Sequence, residues 1–390
     1  MIPLFKVHRA DGIYEPVMKT LRSGYVGEGP KVEQFEADLA KFFDWDYVAA
    51  TNSCTSALQL ALRVAGVEPG DEVMTSPMTC TATNMAIRAV GAKIRWADID
   101  PWTGNIDPEY IERHITKKTK AIIVVWWAGY PAEMDEINAI ADQHGVKVIV
   151  DAAHGFGSKY YGQPRIEWLL PADYVCYSFG PIKMLSCVDG GALLCQRSED
   201  HEQAKLLRWY GMDRKGRKEL RCEADIPKCG YKFHMNDVAA TIGIENLKAM
   251  PRIIDRHGAN AEDYFLTLIN GFRLRPLRYN LSDRKCVNWI YTLRADDPVA
   301  FQSFMKERGV HASPVHMRND VHSCFAGAVN NGETLPGLDE FSAHHISIPV
   351  GWWLSDDEVR YICDCLEDYE KYRDEHPEPV KEQREVETHA

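Results

Sequence analysis

The sequence predicts an α/β fold: a mainly parallel sheet of about seven strands with helices on both faces, followed by a smaller C-terminal α+β domain. Three observations predict it. Helix-like and strand-like patterns alternate from about Val32 to Cys195. Two apolar runs, Lys120–Trp127 and Val146–Val150, read as strands buried on both faces. Beyond about Asn246 the alternation gives way to helices and a few short extended pieces. Strands separated by helix-length segments need right-handed crossovers, and those build a parallel sheet.

The elements follow in order. Val32, Phe35, Leu39 and Phe42–Phe43 recur at helical spacing with acids and lysines between them. Asp46–Ala50 is a short strand and Cys54–Ala65 a helix. Asp71–Thr75 is a second strand, opened by the turn pair Pro69-Gly70. Thr81–Val90 is helical and Lys93–Ala97 extended, and the helix Met134–His144 separates the two apolar strands. Ala172–Ser178 and Gly191–Cys195 complete the sheet. In the second part, helices cover Asn236–Ala249, Ile253–Ile269, Pro298–Arg308 and Ser355–Tyr372. Pro251 marks a break or a fresh start, and Trp289–Arg294 and Ile346–Pro349 are extended. The expected division is residues 1–245, residues 246–375, and a charged tail, residues 376–390, too poor in apolar anchors to fold.

Composition narrows the function. Lys and Arg total 45 against 57 Asp and Glu, a net charge of −12, which gives no general attraction for nucleic acid or anionic membrane. The longest apolar stretch, Ala121–Gly129, is about half of what a bilayer crossing requires. Eleven cysteines are scattered without Cys-x-x-Cys pairs, which points to reduced thiols and a cytoplasmic protein rather than a disulfide framework or metal site.

In an open parallel sheet, ligands collect at the carboxyl ends of the strands. Asp151 directly follows Val146–Val150, with His154 three residues on. Ser178 closes its strand, and Lys183 follows in Ser178-Phe179-Gly180-Pro181-Ile182-Lys183. The helix near Cys54 opens with Asn52-Ser53-Cys54-Thr55-Ser56, and a helix N-terminus suits a phosphate. Singly, each has a plainer role: Ser53, Thr55 and Asp151 as helix caps, His154 as a structural histidine, Lys183 as a solvated lysine. Together they suit pyridoxal phosphate, with the lysine as Schiff-base partner, the acid on the pyridine nitrogen, and the hydroxyls and helix terminus on the phosphate.

Several ordered segments then resemble one family, the DegT/DnrJ/StrS-type sugar aminotransferases. They are Gly29-Pro30-Lys31-Val32-Glu33-Gln34-Phe35-Glu36, Pro69-Gly70-Asp71-Glu72-Val73, Thr119-Lys120-Ala121-Ile122, Asp151-Ala152-Ala153-His154, and Ser178-Phe179 through Lys183 to Asp189-Gly190-Gly191. The resemblance implies a fold-type I aminotransferase architecture and a homodimer with shared active sites. It also implies that Lys183, Asp151 and His154 are catalytic, and that Cys54, Thr55, Ser56, Ser178 and Lys232 hold the cofactor. Gly24, Tyr25 and Gly27 would line the substrate mouth, with His316 and Arg318 as further substrate contacts.

Two positions depart from the family pattern. Cys80 stands where the family carries an aromatic residue over the cofactor, and Lys232 stands where a loop asparagine reaches the neighbouring subunit's phosphate. The reaction implied moves an amino group from L-glutamate to a nucleotide-linked 4-keto-6-deoxyhexose. The alternatives are a 3-keto-sugar or keto-cyclitol acceptor, a sugar 3-dehydratase, whose members carry His where Lys183 stands, and a non-catalytic cofactor-binding regulator.

Overall fold

The computed structural model describes residues 1–161, 171–213, 225–271, 273–277, 282–329 and 332–375. The predicted tail, residues 376–390, lies outside the described residues.

Helices α1 (Tyr14–Ser23) and α2 (Pro30–Phe43) precede β1 (Val48–Thr51), α3 (Cys54–Val64), β2 (Glu72–Thr75), α4 (Thr81–Ala89) and β3 (Lys93–Trp96). Next come α5 (Pro108–His114), β4 (Thr119–Val125), α6 (Met134–His144), β5 (Lys147–Asp151), β6 (Lys159–Tyr160), β7 (Tyr174–Ser178), β8 (Gly191–Cys195) and α7 (Ser198–Arg208). The remainder holds α8 (Asp237–Leu247), α9 (Met250–Leu268), β9 (Leu274–Pro276), β10 (Arg284–Lys285), β11 (Tyr291–Ala295), α10 (Pro298–Glu307), α11 (Pro336–His344), β12 (His345–Ile348) and α12 (Asp356–Glu375).

The large sheet has seven strands in the order β1-β8-β7-β5-β4-β2-β3. Pairings from β3 through β2, β4 and β5 to β7 are parallel, as the helix-length connections require. The exception is β8, antiparallel to both β7 and β1. It follows β7 through a loop instead of a helix, so the right-handed crossover rule does not apply to it.

Local chemistry explains the ends of the elements. Helix α2 starts on Pro30 and buries Val32, Phe35, Leu39 and Phe43; each such side chain contributes about 1.5–3 kcal/mol. Its first turn is capped from a distance, because the buried Asp237 carboxylate accepts the amides of Gly29 (2.8 Å), Val32 (3.0 Å) and Lys31 (3.1 Å). Ser53 caps α3 by accepting the Ser56 amide at 3.1 Å. Pro251 lies in the first turn of α9, so it marks a fresh helix start.

Helices α1, α5, α7 and α11 lie outside the sequence-based assignment. Asp107 before Pro108 was a readable start for α5, but the helix is only 7 residues long, too short for a periodic apolar face.

A second apolar cluster, spanning Ala261 to Tyr369, packs α9, α10 and α12 onto the antiparallel sheet β12-β11-β9. The chain around Val287–Ile290 belongs instead to the main cluster. The pair β6–β10 likewise joins residues 159–160 to 284–285 across the sequence division at 246.

Candidate active site

The carboxyl ends of the parallel strands place the chemistry. Asp151 ends β5 and is buried. Its Oδ2 accepts the Thr83 hydroxyl at 2.7 Å, and its Oδ1 accepts the Ala153 amide at 3.0 Å and the Cys54 thiol at 3.8 Å. Burial raises its pKa above the usual carboxylate value, opposed by these three donors and by the charge of Lys183. Burial, Asp151 and Cys176 push the Cys54 thiol well up, so it stays a protonated donor.

Lys183 lies in the turn after β7, its amide donating to the Gly180 carbonyl at 3.1 Å. Burial pulls its amine down to about 8, opposed by Cys80, Asp151 and Cys54. An amine at that value exchanges protons near neutral pH, which an ordinary lysine does not.

His154 stacks on Trp289, with ring centroids 4.0 Å apart and planes 24° apart, and lies parallel to His316 at 5.5 Å. Burial, followed by Lys183 and His316, drives its pKa well down, so the imidazole is neutral. Its Nδ1 has no hydrogen-bond partner among the described residues. Burial, followed by Lys183 and His345, takes His316 down to about 4. Trp127 meets both imidazoles edge-on and donates its Nε1–H to Thr292 at 3.1 Å.

Helix α3 presents its first turn beside this group, with Cys54 linking it to Asp151. Gly191, at the start of β8, makes the approach feasible: a Cβ there would lie 2.6 Å from the Cys54 amide nitrogen and from the Ser53 carbonyl carbon. Thr55 is half-buried at the helix start, whereas the Ser56 hydroxyl is committed to Asn52 Oδ1 at 2.6 Å. Ser178 is half-buried, its Oγ accepting the Gly180 amide at 3.4 Å. Cys80, partly exposed, precedes the first residue of α4 and is close enough to act on both Lys183 and Cys54.

The structure therefore gathers Asp151, His154, Lys183, Cys54, Cys80 and His316. Other predicted residues stand differently. Lys232 is exposed, its carbonyl accepting the Asn52 side-chain amide at 3.1 Å, beside the head of α3. The Arg318 guanidinium is held by Asp320, at 2.7 and 2.6 Å, and by Asp339, so an anionic group would have to displace a carboxylate. Gly24 ends α1 in the left-handed conformation, Tyr25 is exposed, and the Gly27 carbonyl accepts the Asp237 amide. Thr83, Trp127 and Trp289 were not singled out from the sequence. Thr83 alone left a signal there, its four-residue spacing from Thr79, which brings the two hydroxyls to 2.8 Å.

With this geometry in hand, comparison with known proteins is decisive. The model of the DegT/DnrJ/EryC1/StrS aminotransferase family matches residues 9–367. The chain belongs to that family. This family member is 31% identical to the spore coat polysaccharide biosynthesis protein SpsC of Bacillus subtilis, over 92% of this chain and 95% of SpsC. Its fold matches the sugar aminotransferase CalS13 of Micromonospora echinospora with a TM-score of 0.88 and 33% identity, over 94% of this chain and 100% of CalS13.

The putative sugar aminotransferase Spr1654 of Streptococcus pneumoniae is similar at 26% identity, with TM-scores of 0.85 and 0.86 for its PLP and PMP forms. Each of these two forms covers 95% of this chain, which in turn covers 99% and 100% of Spr1654. This family member is accordingly a pyridoxal phosphate-dependent sugar aminotransferase of fold type I. Among the described residues, no group of three or more His, Cys, Asp or Glu is placed to hold a metal, and no helix is long and apolar enough to cross a membrane.

Proposed function

We propose that this aminotransferase moves an amino group from L-glutamate to a nucleotide-linked 4-keto-6-deoxyhexose, as a cytoplasmic homodimer whose chain divides near residue 246. The relative named for spore coat polysaccharide biosynthesis supports an amino-sugar product destined for a polysaccharide.

The observation that carries the reading is the convergence of Lys183, Asp151 and the first turn of α3, with the unpartnered Nδ1 of the neutral His154 beside them. These residues fit pyridoxal phosphate. A helix N-terminus with Thr55 and the nearby Ser178 suits the phosphate. The buried Asp151 suits the pyridine nitrogen, the His154 edge suits the phenolic oxygen, and the Lys183 amine suits the aldehyde carbon. When bound, the cofactor supplies an electron sink for the carbanion formed at the donor's α-carbon.

The protein's own part is positioning and proton transfer. Asp151 would hold the ring-nitrogen proton, and its three donors and the charge of Lys183 favour its carboxylate form against the burial that raises its pKa. Lys183, its amine drawn toward neutrality, would take the donor's α-proton and return a proton to the carbon that was the cofactor's aldehyde. His154 is neutral and can donate from Nδ1 without adding positive charge beside Lys183. His316, Lys232 and Arg318 remain the candidates for the sugar and its diphosphate.

The test is trapping with borohydride followed by peptide mapping, alongside the absorbance change on adding L-glutamate. Label on the Lys183 peptide and a glutamate-dependent spectral change are expected. Label on another lysine overturns the site, and a glutamate-insensitive spectrum overturns the donor. A panel of nucleotide-linked keto-sugars and keto-cyclitols then decides the acceptor.

A further inference from the structure

Lys183 is gripped twice by one tryptophan. Its Nζ lies 3.9 Å from the centroid of a Trp289 ring. The Trp289 Nε1–H donates to the carbonyl of Ile182, the residue before the lysine, at 2.8 Å. The indole is itself fixed, because Phe5 stacks on it at 5.0 Å, His154 stacks on it at 4.0 Å, and it is 2% exposed. Phe5, Lys6, Trp352, Trp353 and His257, neutral because burial takes it down to about 4, complete the surroundings of Lys183 and Trp289. Five distant stretches of chain therefore meet around Lys183 and Trp289: the N-terminal segment, the turn after β7, helix α9, the stretch leading into β11 and the stretch between β12 and α12.

The charged surroundings leave the ammonium without a carboxylate of its own. Asp151 on β5, Cys54 on α3 and Cys80 at the head of α4 act on Lys183 without contact, and the imidazoles of His154 and His316 are neutral. Thr83, Ala153 and Cys54 donate to the Asp151 oxygens, and Lys183 makes no ion pair with them. What lies against Nζ is the indole face, and a cation on an aromatic face is held more strongly when water is excluded.

We propose that Trp289 is the positioning residue of Lys183: its ring face receives the ammonium whenever the amine is free, and its Nε1–H fixes the turn that carries it. This rests on the reading of Lys183 as the reactive lysine. The amine then has a resting place on the ring from which it can re-engage, and Asp151 stays available for the ring nitrogen. A carboxylate partner would hold the ammonium too firmly to deprotonate near neutral pH. A ring face holds it without a counter-charge.

The test uses the full-length protein, cofactor-free and loaded with pyridoxamine phosphate, both of which leave the Lys183 amine free. Tryptophan carrying one, two or three ring fluorines is placed at position 289 alone, which weakens the negative face while keeping the shape and the N–H. The readout is the pH dependence of Lys183 acetylation, followed by mass on its peptide. The midpoint should fall stepwise from about 8, by about one pH unit over the series, which makes labelling at about pH 7 about fivefold faster. Trp289→Phe should fall less than Trp289→Leu. A midpoint that does not move with fluorination overturns the proposal, and if borohydride still labels Lys183 the reading of the site stands. Borohydride label on another lysine overturns both.

Discussion

Replacing Thr83 by valine removes one buried hydroxyl while nearly keeping the side chain's shape. Thr83 is 1% exposed and donates to Asp151 Oδ2 at 2.7 Å. With its proton so committed, it accepts from the Thr79 hydroxyl at 2.8 Å. A hydrogen bond to a charged group contributes about 1.5–3 kcal/mol. Losing it at a carboxylate that must stay ionised for the cofactor weakens binding about 10- to 150-fold.

The sign of the pH dependence follows from the same contact. Burial raises the Asp151 pKa, and the Thr83 bond is the first of the contacts that oppose the rise. Without that bond the carboxylate takes up its proton at a higher pH than in the wild type, so the affinity loss should widen as pH falls. Titrating the cofactor-free protein with pyridoxal phosphate between about pH 6 and 8.5, followed by absorbance, measures both effects. Thr79→Val should cost less than tenfold, the size of a neutral bond. The double variant should be no worse than Thr83→Val alone, because Thr79 acts through Thr83. Wild-type affinity in Thr83→Val at every pH would refute the threonine relay.

Two further outcomes follow from packing. Gly191→Ala should weaken cofactor binding with little change in overall helicity, because its Cβ would meet the backbone of Ser53 and Cys54 at 2.6 Å and push the first turn of α3 away from β8; an affinity equal to wild type would show that the turn has room to move. Asp237→Ala strips three amides at the head of α2 of their acceptor, a loss of about 3 kcal/mol. A thermal midpoint within a degree of wild type would mean those amides find other partners.

The sequence by itself determined most of the architecture and half of the site. Burial on both faces left β4 and β5 as unbroken apolar runs, and the helix-length gaps required parallel crossovers, which is why the sheet was legible. Asp151, Ser178 and Lys183 were legible because strand ends in a parallel sheet share one edge, and strand ends can be read locally. The direction of β8 was not legible. The loop of residues 179–190 after β7 is long enough for return in either direction, and only pairing with both β7 and β1 decides it.

Only the tertiary structure decided who touches Lys183 and Asp151. Trp289 lies more than a hundred residues after the lysine, in a segment that reads simply as a strand, and Phe5 lies near the N-terminus. His316 reaches His154 from the far side of the chain, while Arg318, two residues on, turns away to Asp320 and Asp339. Local patterns record which face of an element is buried, because periodicity is a property of neighbours in sequence. Which side chain lies opposite depends on packing between distant segments, and that packing is what gives Lys183 its ring face and Asp151 its donors.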